Sequence, residues 1–480
     1  MLEHLERVST IYDLLALCCS YILKENQKKA IEFGEFDKEY DEVYDAVENY
    51  CNDCENVGQW KALYELKEFV IKFMRPEVSV EKCFALVKYI DELVEIELNG
   101  KIMGGNHIIK YTALNEQYKD YVIIRPKMKD NFLNKGEVKL ENGYSFLRKR
   151  RECVCSILDR ETVNYMVWDE EHIKKYPLSI VRYDNMHPLV SHFRENNRIV
   201  LGIVPFSSES TERLMEIQYH ARLFTITGIK PDIEKQLRDR YIEICDRAET
   251  ERIDILIFPE MLMTETIMTA GEKKDRKESP WIIVNGSIWK DCMNKSIVTD
   301  GNGNEIFTYF KKEPFVLKRG KKEYREWLNK EKNTEYFILE IDGIGRIGVG
   351  ICKDLINEEV KMFHKMMKTD LLIVPSYTDS MDLQGAAEDL SKEYNCVVAM
   401  VNACSAVEKK CSGKENMRVG FITLPAKKDT DRTEVTIRYY KTECAEKCST
   451  KCVGKKIIID FLHRKRYEEK ESYNVIESTF

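Results

Sequence analysis

Apolar positions recur at helical spacing through the first hundred residues. One apolar stripe covers residues 14–22 and a second covers 60–73, each close to a 3.6-residue period. Pro76 ends the second stripe, and Ser79 is a typical N-cap residue before an apolar helix through residue 93. The pattern therefore predicts a helical N-terminal region over residues 1–104.

The next stretch, residues 105–196, is mixed and less regular. Residues 121–124 read Tyr-Val-Ile-Ile, which favours a strand, and Pro177 and Pro188 interrupt the helix and loop signals that follow. No fold is assigned to this stretch.

The pattern changes at about Arg198, where continuous apolar runs begin. They predict strands buried on both faces, at 199–204, 253–258, 281–287, 295–299, 347–351, 371–374 and 396–401. Helical spacing lies between several of them, notably over 208–248, 357–368 and 384–394. Strands that alternate with helices predict a layered α/β domain over residues 197–480.

Composition adds limits to this picture. The chain has 480 residues, 33% of them charged, and a net charge of −7, which disfavours a nucleic-acid scaffold. The basic run at 148–151 is interpreted as a solvated turn. Neither a basic leader nor a membrane-length apolar run is apparent, so we expect a cytoplasmic protein whose sixteen cysteines are mostly reduced.

A carboxylate follows the second buried strand at once. Residues 254–260 read Asp-Ile-Leu-Ile-Phe-Pro-Glu, which places Glu260 at a strand end, where α/β domains hold their sites. A carboxylate in such apolar surroundings acquires a raised pKa, which suits a general base. By itself the pattern is weak, because acidic residues after strands are usually surface loop residues.

Two lysines end a predicted hairpin over residues 294–312. Strand, Gly/Asn turn and strand deliver Lys311 and Lys312 side by side, and strand alternation lets only one of them point into a site.

The third segment, residues 345–355, runs from an apolar strand into Cys352. A strand-to-helix turn at this point exposes a nucleophile at the edge of a sheet, and a helix N-terminus there favours the thiolate. A lone cysteine after a strand is usually structural, so the hypothesis rests on the three segments together.

In this order and combination the segments resemble the nitrilase superfamily of carbon–nitrogen hydrolases. Phe-Pro-Glu at 258–260, the hairpin at 294–311 and Gly-Arg-Ile-Gly-Val-Gly-Ile-Cys-Lys-Asp at 345–354 are similar to its motifs, and the similarity extends over about residues 197–465. The resemblance implies a four-layer αββα sandwich, here preceded by the mainly helical N-terminal region.

The resemblance also implies a mechanism without metal or organic cofactor. Cys352 is the nucleophile, Glu260 the general base, and Lys311 the cation that stabilises the tetrahedral intermediate together with the backbone N–H of Lys353. A second glutamate often orients the lysine; Glu323 is the first candidate and Glu326 the second.

Three positions depart from the family pattern or bear on the substrate. Glu313 replaces a histidine that usually lies two residues after the lysine. Cys352-Lys353-Asp354 favours amide or carbamoyl substrates over nitriles, which usually go with Cys-Trp-Glu. The Lys353 side chain either pairs with an acidic substrate group or is simply solvated, and the second interpretation is preferred.

Other hypotheses remain open. Cys51 and Cys54, or a cluster of Cys444, Cys448, Cys452 and His463, suggest zinc, but cysteines four residues apart also pack on one helix face. We expect a small amide-type substrate, a homodimer or larger homo-oligomer, and a possible protein partner through residues 1–195. The alternative function is a nitrilase-like binding or signalling module controlled by the N-terminal region.

Overall fold

A computed structural model describes most of the chain. The described residues are Leu5, Val8, 11–29, 37–50, 59–74, 78–98, 108–110, 123–126, 165–168, 175–183, 187–196, 198–207, 209–271, 280–329, 335–341, 344–378, 383–407, 418–428, 433–441, 454–467 and 470–480. The basic run at 148–151, Cys51, Cys54 and the three clustered cysteines lie outside them, as does the side chain of His463.

The strands in chain order are β1 Ile108–Lys110, β2 Ile123–Pro126, β3 Tyr165–Trp168, β4 Leu178–Tyr183, β5 Arg198–Ile203, β6 Met215–His220, β7 Leu223–Ile229, β8 Ile255–Ile257, β9 Ile282–Val284, β10 Ile288–Lys290, β11 Met293–Asp300 and β12 Glu305–Phe310. They continue with β13 Val316–Arg319, β14 Lys322–Glu326, β15 Tyr336–Ile341, β16 Gly345–Val349, β17 Leu371–Ser376, β18 Val397–Asn402, β19 Arg418–Lys428, β20 Thr433–Lys441, β21 Lys455–Tyr467 and β22 Lys470–Thr479.

The α-helices are α1 Ile11–Lys29, α2 Asp37–Tyr50, α3 Gln59–Phe69, α4 Val80–Leu98, α5 Pro188–Asn196, α6 Thr211–Leu214, α7 Pro231–Thr250, α8 Glu265–Ala270, α9 Glu358–Met366, α10 Leu383–Tyr394 and α11 Cys404–Val407. A π-helical turn, Val70–Met74, continues α3, and a 3₁₀ turn, Cys352–Ile356, precedes α9.

The described residues form two compact units, and the first holds α1 to α4 with the β2–β3 ribbon. Its apolar stripes meet in one core that includes Leu14, Leu66, Phe69, Leu86 and Ile90. The predicted helical N-terminal region is confirmed, whereas the domain boundaries at 104 and 196 stay predictions.

The second unit contains nearly all of a sixteen-stranded sheet system. Its strand order is β1-β4-β15-β16-β17-β18-β19-β22-β21-β5-β8-β9-β11-β10, with β12 paired to β11 and β20 to β19. Two trios of parallel strands stand out within it, β16–β17–β18 and β5–β8–β9. Most of their residues are apolar, and all but Arg198 at the start of β5 are buried, as the continuous runs predict.

The two trios approach each other at their carboxyl ends. The Glu260 N–H after β8 donates to the Ser376 carbonyl at 3.3 Å, and the Cys404 N–H after β18 donates to the Pro205 carbonyl after β5 at 3.2 Å. The ends of these strands, where α/β domains place their sites, therefore face one another.

Helix α7 shows how local sequence sets these elements. Pro231 occupies its first turn together with Asp232, and Arg247 lies in its last turn, an arrangement that complements the helix dipole. Residues three to four apart on one side are buried: Ile233, Leu237, Tyr241, Ile244, Cys245 and Ala248.

The helical prediction over 208–248 is wrong in its first half. Residues 215–229 form the antiparallel hairpin β6–β7, with Ala221 in its turn at φ 52°. Strand β14 joins β7 in parallel, which gives a second sheet of order β13-β14-β7-β6. The β-branched and aromatic residues of 223–229 fit a pleated sheet better than a helix.

These elements confirm the α/β class and the helical region before it. The more detailed expectation, a four-layer αββα sandwich, stays a prediction.

Candidate active site

Glu260 lies just beyond β8 and is 1% exposed. Its Oε2 accepts the backbone N–H of Tyr377, which follows β17, at 3.0 Å. The neighbouring loop passes so closely that any Cβ at Gly286, at φ 57°, would clash with the Pro259 carbonyl. The glutamate thus projects between the two parallel trios, in a fixed backbone.

Lys311 continues β12, and its N–H donates to the Asn294 carbonyl across the hairpin at 2.9 Å. Its side chain is fully buried, and Nζ lies 2.6 Å from Glu260 Oε1 and 2.7 Å from Glu326 Oε2. Lys312 turns away, and its Nζ donates to the Glu335 carbonyl at 2.8 Å. As strand alternation predicts, only one of the two lysines meets Glu260.

The carboxylate paired with Lys311 is Glu326, at the end of β14, and not Glu323. Glu326 is 2% exposed, whereas the Glu323 side chain is 62% exposed and pairs with Lys318 at 3.2 Å. The preference for Glu323 is therefore corrected in favour of the second candidate. The reason is the register: residues three apart on a strand face opposite sides, and Glu326 is on the buried one.

Asn294, at the start of β11, joins the two carboxylates. Its Nδ2 donates to Glu260 Oε1 and to Glu326 Oε1, each at 2.9 Å. Trp289 Nε1 adds a donor to Glu326 at 3.2 Å, and the Phe315 N–H adds another at 2.9 Å. Two buried carboxylates next to one lysine are thus balanced by neutral donors as well as by the cation.

Cys352 follows β16 and opens the 3₁₀ turn. It adopts φ 49°, a left-handed backbone conformation that is uncommon for a side-chain-bearing residue. The Glu260 carboxylate and the Tyr377 backbone N–H are both near enough to the thiol to act on its pKa. The structure therefore brings Glu260, Lys311 and Cys352 together from three separate strand ends.

The electrostatic surroundings of Cys352 do not favour the thiolate that the sequence predicts. Burial, reinforced by the Glu260 carboxylate, raises the pKa of the Cys352 thiol far above its ordinary value, and Lys311 only partly opposes this. The expectation that a helix N-terminus favours the thiolate is corrected, because the raised pKa favours a neutral Cys352 thiol. A neutral thiol reacts only with the help of an adjacent base, and the Glu260 carboxylate is near enough to act on its pKa.

The pKa values of Glu260 and Lys311, the two charged neighbours of the thiol, are shifted as well. Burial raises the pKa of Glu260, outweighing the nearby Lys311 charge. Burial alone would lower the pKa of Lys311, but the Glu260 and Glu326 carboxylates overcome it and raise the value. Lys311 therefore remains a cation, while Glu260 takes up a proton more readily than an exposed glutamate.

The remaining predicted positions lie around this cluster. Lys353 is half-buried in the 3₁₀ turn directly after the nucleophile. Glu313, in place of the expected histidine, accepts a hydrogen bond from the Asn357 side chain at 2.9 Å, and Asn357 caps α9.

Sequence reasoning missed the roles of Asn294 and Tyr377. Asn294 begins the hairpin segment already singled out, so its position was a usable signal. Tyr377 contributes a backbone N–H, for which the sequence carries no side-chain signal.

Within the part of the chain that the structure describes, no group of three or more His, Cys, Asp or Glu side chains is arranged to hold a metal ion. In the same residues, no helix is both long enough and apolar enough to cross a membrane.

No family model and no curated protein matches the chain. Similar solved structures include the NitFhit protein of C. elegans, at 15% identity and a TM-score of 0.33 over 51% of this chain and 61% of that one. The glutamine-dependent NAD+ synthetase from Acinetobacter baumannii matches at 13% identity and 0.32, over 53% and 49%. This chain thus spans less than two thirds of either protein. Nit3 of Saccharomyces cerevisiae, a member of branch 10 of the nitrilase superfamily, matches at 14% and 0.30, over 59% and 90%.

Proposed function

We propose that this protein is a hydrolase of non-peptide carbon–nitrogen bonds that acts through a Glu260–Lys311–Cys352 triad. The observation that carries the proposal is the Glu260 carboxylate, which lies 2.6 Å from Lys311 Nζ and near enough to the Cys352 thiol to raise its pKa. A nucleophile, a base and a fixed cation on three strand ends support acyl transfer.

In the first half-reaction, Cys352 Sγ attacks the carbonyl carbon of an amide while its proton passes to Glu260. The Lys311 ammonium and the Lys353 backbone N–H stabilise the oxyanion of the tetrahedral intermediate. When the intermediate collapses, the C–N bond breaks and Glu260 returns the proton to the departing ammonia or amine. A thioester on Cys352 remains.

In the second half-reaction, Glu260 takes a proton from water, whose oxygen attacks the thioester carbon. Collapse of this second intermediate breaks the C–S bond, releases the carboxylic acid and restores the thiol with the proton held by Glu260. The neutral resting thiol fits this scheme, because Glu260 removes the proton only as the carbon–sulfur bond forms.

Amide or carbamoyl substrates are proposed ahead of nitriles. The support is the resemblance of Cys352-Lys353-Asp354 to the nucleophile motif of amidase-like superfamily members.

The test compares Cys352→Ala with wild type on small amides, carbamoyl compounds and glutamine, measuring ammonia release. Cys245→Ala is the matched control, because Cys245 is also a fully buried cysteine but lies on α7. We expect activity to disappear only in Cys352→Ala, and added hydroxylamine to divert the wild-type product to a hydroxamate. Turnover that survives in Cys352→Ala contradicts the proposal. Absence of turnover in wild type on every compound class favours the binding-module alternative.

A further inference from the structure

The carboxylate of Asp354 connects the segments that carry Lys311 and Cys352. Its Oδ1 accepts the backbone N–H groups of Lys312 at 2.9 Å and Glu313 at 2.7 Å. Its Oδ2 accepts the Ile351 N–H and the Tyr309 hydroxyl, both at 3.0 Å. Asp354 is 0% exposed, so these donors, and not water, surround it.

The donors flank the reacting groups on both sides. Lys312 directly follows the lysine of the triad, and Ile351 directly precedes the nucleophile. Hydrogen bonds weaken steeply outside a narrow range of distance and angle, so four bonds to one rigid carboxylate hold the two segments at a set separation.

The same carboxylate helps to impose the conformation of Cys352. Its bond to the Ile351 N–H closes a tight turn around the cysteine, which adopts φ 49°. A conformation of this kind persists only where its surroundings enforce it. Asp354 is one such restraint, and it acts without touching the thiol.

Packing alone does not account for an aspartate here. Burial raises the pKa of Asp354, which means that the ionised form is costly at this position. Both oxygens face donors, and three of the four donors are backbone N–H groups that cannot reverse their role. Only a group that accepts on every side fits the arrangement.

We infer that Asp354 is a positioning residue that sets the geometry between the Cys352 thiol and the Lys311 ammonium and does not contact the substrate. The importance of Asp354 for catalysis rests on the proposed function, but its effect on the position of the Cys352 thiol can be measured without turnover. It also gives a physical reason for an acidic residue two positions after the nucleophile, independent of substrate type.

An asparagine tests this most directly, because it keeps the size and removes one acceptor. Its amide NH₂ is tolerated least at the Lys312 and Glu313 side, where it would face two N–H donors. On the other side the Tyr309 hydroxyl can switch to accepting, and only the Ile351 N–H is left facing a donor. Asp354→Asn therefore releases chiefly the restraint next to Cys352.

For Asp354→Asn we expect kcat to fall about a hundredfold while KM changes little, as a small displacement of reacting groups produces. Tyr309→Phe removes one donor and leaves three, so we expect a decrease of only a fewfold. Asp370→Asn is the matched control. Asp370 is also 0% exposed and accepts the Arg346 N–H at 2.8 Å, but it lies at the amino end of β17, whereas the candidate site lies at the carboxyl ends of the strands. Its kcat should match wild type even if its Tm decreases.

The second measurement is the pH dependence of Cys352 alkylation by iodoacetamide, followed by mass spectrometry of the Cys352 peptide. If Asp354 holds the thiol against Glu260, the profile shifts in Asp354→Asn and is unchanged in Asp370→Asn. This readout remains valid if no tested amide is hydrolysed, so a failure of the proposed function is told apart from a failure of the inference.

The inference is overturned if Asp354→Asn lowers Tm as much as Asp370→Asn does and keeps the wild-type alkylation profile. Should Asp354→Asn fail to fold, Tyr309→Phe decides the question. A wild-type profile and kcat in that variant would argue against positioning, and a smaller shift in the same direction would support it.

Discussion

The two ends of the parallel strands both bury carboxylates, but they use them differently. At the amino ends, Asp254 accepts the Val200 N–H at 2.7 Å and meets His192 Nε2 at 3.0 Å, and Asp370 accepts the Arg346 N–H. At the carboxyl ends, Glu260 and Glu326 share the Lys311 ammonium, and Glu260 also acts on the pKa of the nearby Cys352 thiol.

The difference lies in what the carboxylates face. At the amino ends their partners include the backbone of a neighbouring strand, so the bonds fix strand register. At the carboxyl ends their partners include a thiol and a cation from other strands, whose protonation states depend on one another. Buried charge alone thus does not distinguish a site from a structural contact, and neither does one titratable pair such as Asp254 and His192. The carboxyl-end cluster differs because a carboxylate, an ammonium and a thiol from separate strands converge there.

The largest expected effect comes from removing the cation at the carboxyl end. Lys311→Met leaves Glu260 and Glu326 buried together without their shared partner. We expect a free energy of unfolding lower by about 3–5 kcal/mol, as for a broken buried ion pair. We also expect kcat to fall at least about a hundredfold through loss of oxyanion stabilisation. Urea denaturation and ammonia release measure the two effects.

Lys318→Met is the matched control, because Lys318 pairs with Glu323 on the surface, where its side chain is 76% exposed. Its free energy of unfolding should change by less than about 1 kcal/mol. Equal losses of unfolding free energy in the two variants would show that the buried Lys311 ion pair contributes no more than an exposed surface pair.

The next prediction separates the two candidate glutamates. The Glu326 carboxylate accepts four hydrogen bonds, from Trp289, Asn294, Lys311 and Phe315. A glutamine in either orientation therefore turns its NH₂ toward donors. Glu326→Gln should lower kcat about a hundredfold. Glu323→Gln, on the exposed face, should leave kcat unchanged, and the reverse ranking would restore the sequence-based choice.

The choice between these glutamates shows where sequence reasoning stops. The buried strands follow from continuous apolar runs, because such runs require burial on both faces. The residues Glu260, Lys311 and Cys352 are singled out by the resemblance of their three segments, taken together, to the nitrilase superfamily motifs. The sequence alone does not determine which face of β14 is buried, since this depends on pairing with β7, far away in the chain.

Two other errors have the same origin. Residues 215–229 alternate loosely enough to fit a helix, and only the partner strand β14 decides for a sheet. The Cys352 thiol was expected to ionise near a helix N-terminus. Burial, reinforced by the distant Glu260 carboxylate, raises its pKa instead, although the Tyr377 N–H opposes the shift. Local sequence patterns predict secondary-structure elements, whereas burial in the tertiary structure determines the protonation of groups such as the Cys352 thiol.

A moderate effect is expected on the acid limb of the activity profile. Glu260 must be ionised to act as a base, and its pKa is already raised by burial, with the Asn294 donor opposing the shift. Asn294→Ala removes that donor, so the pKa of Glu260 rises further and activity is lost at higher pH. A hydrogen bond to a charged group contributes about 1.5 kcal/mol, so its loss should move the acid limb by about one pH unit.

The measurement is kcat/KM against pH, with Asn285→Ala as the control. Asn285 is also 1% exposed, but its amide bonds the Ile297 carbonyl, Thr299 and Tyr241, none of them charged. An acid limb that moves equally in both variants would mean that the shift reflects general loosening.

The smallest effect concerns stability at the amino ends. Bonding to Asp254 raises the pKa of His192, so the folded state holds its proton more tightly than the unfolded state does. That contribution is complete below the unfolded pKa of about 6.5 and is lost as pH rises through the folded value. The stability difference between wild type and His192→Gln, at most about 1 kcal/mol for this partly exposed pair, should therefore shrink with increasing pH. His220→Gln, at an exposed position of β6, should show no such trend, and a difference that grows with pH would reverse the assigned sign.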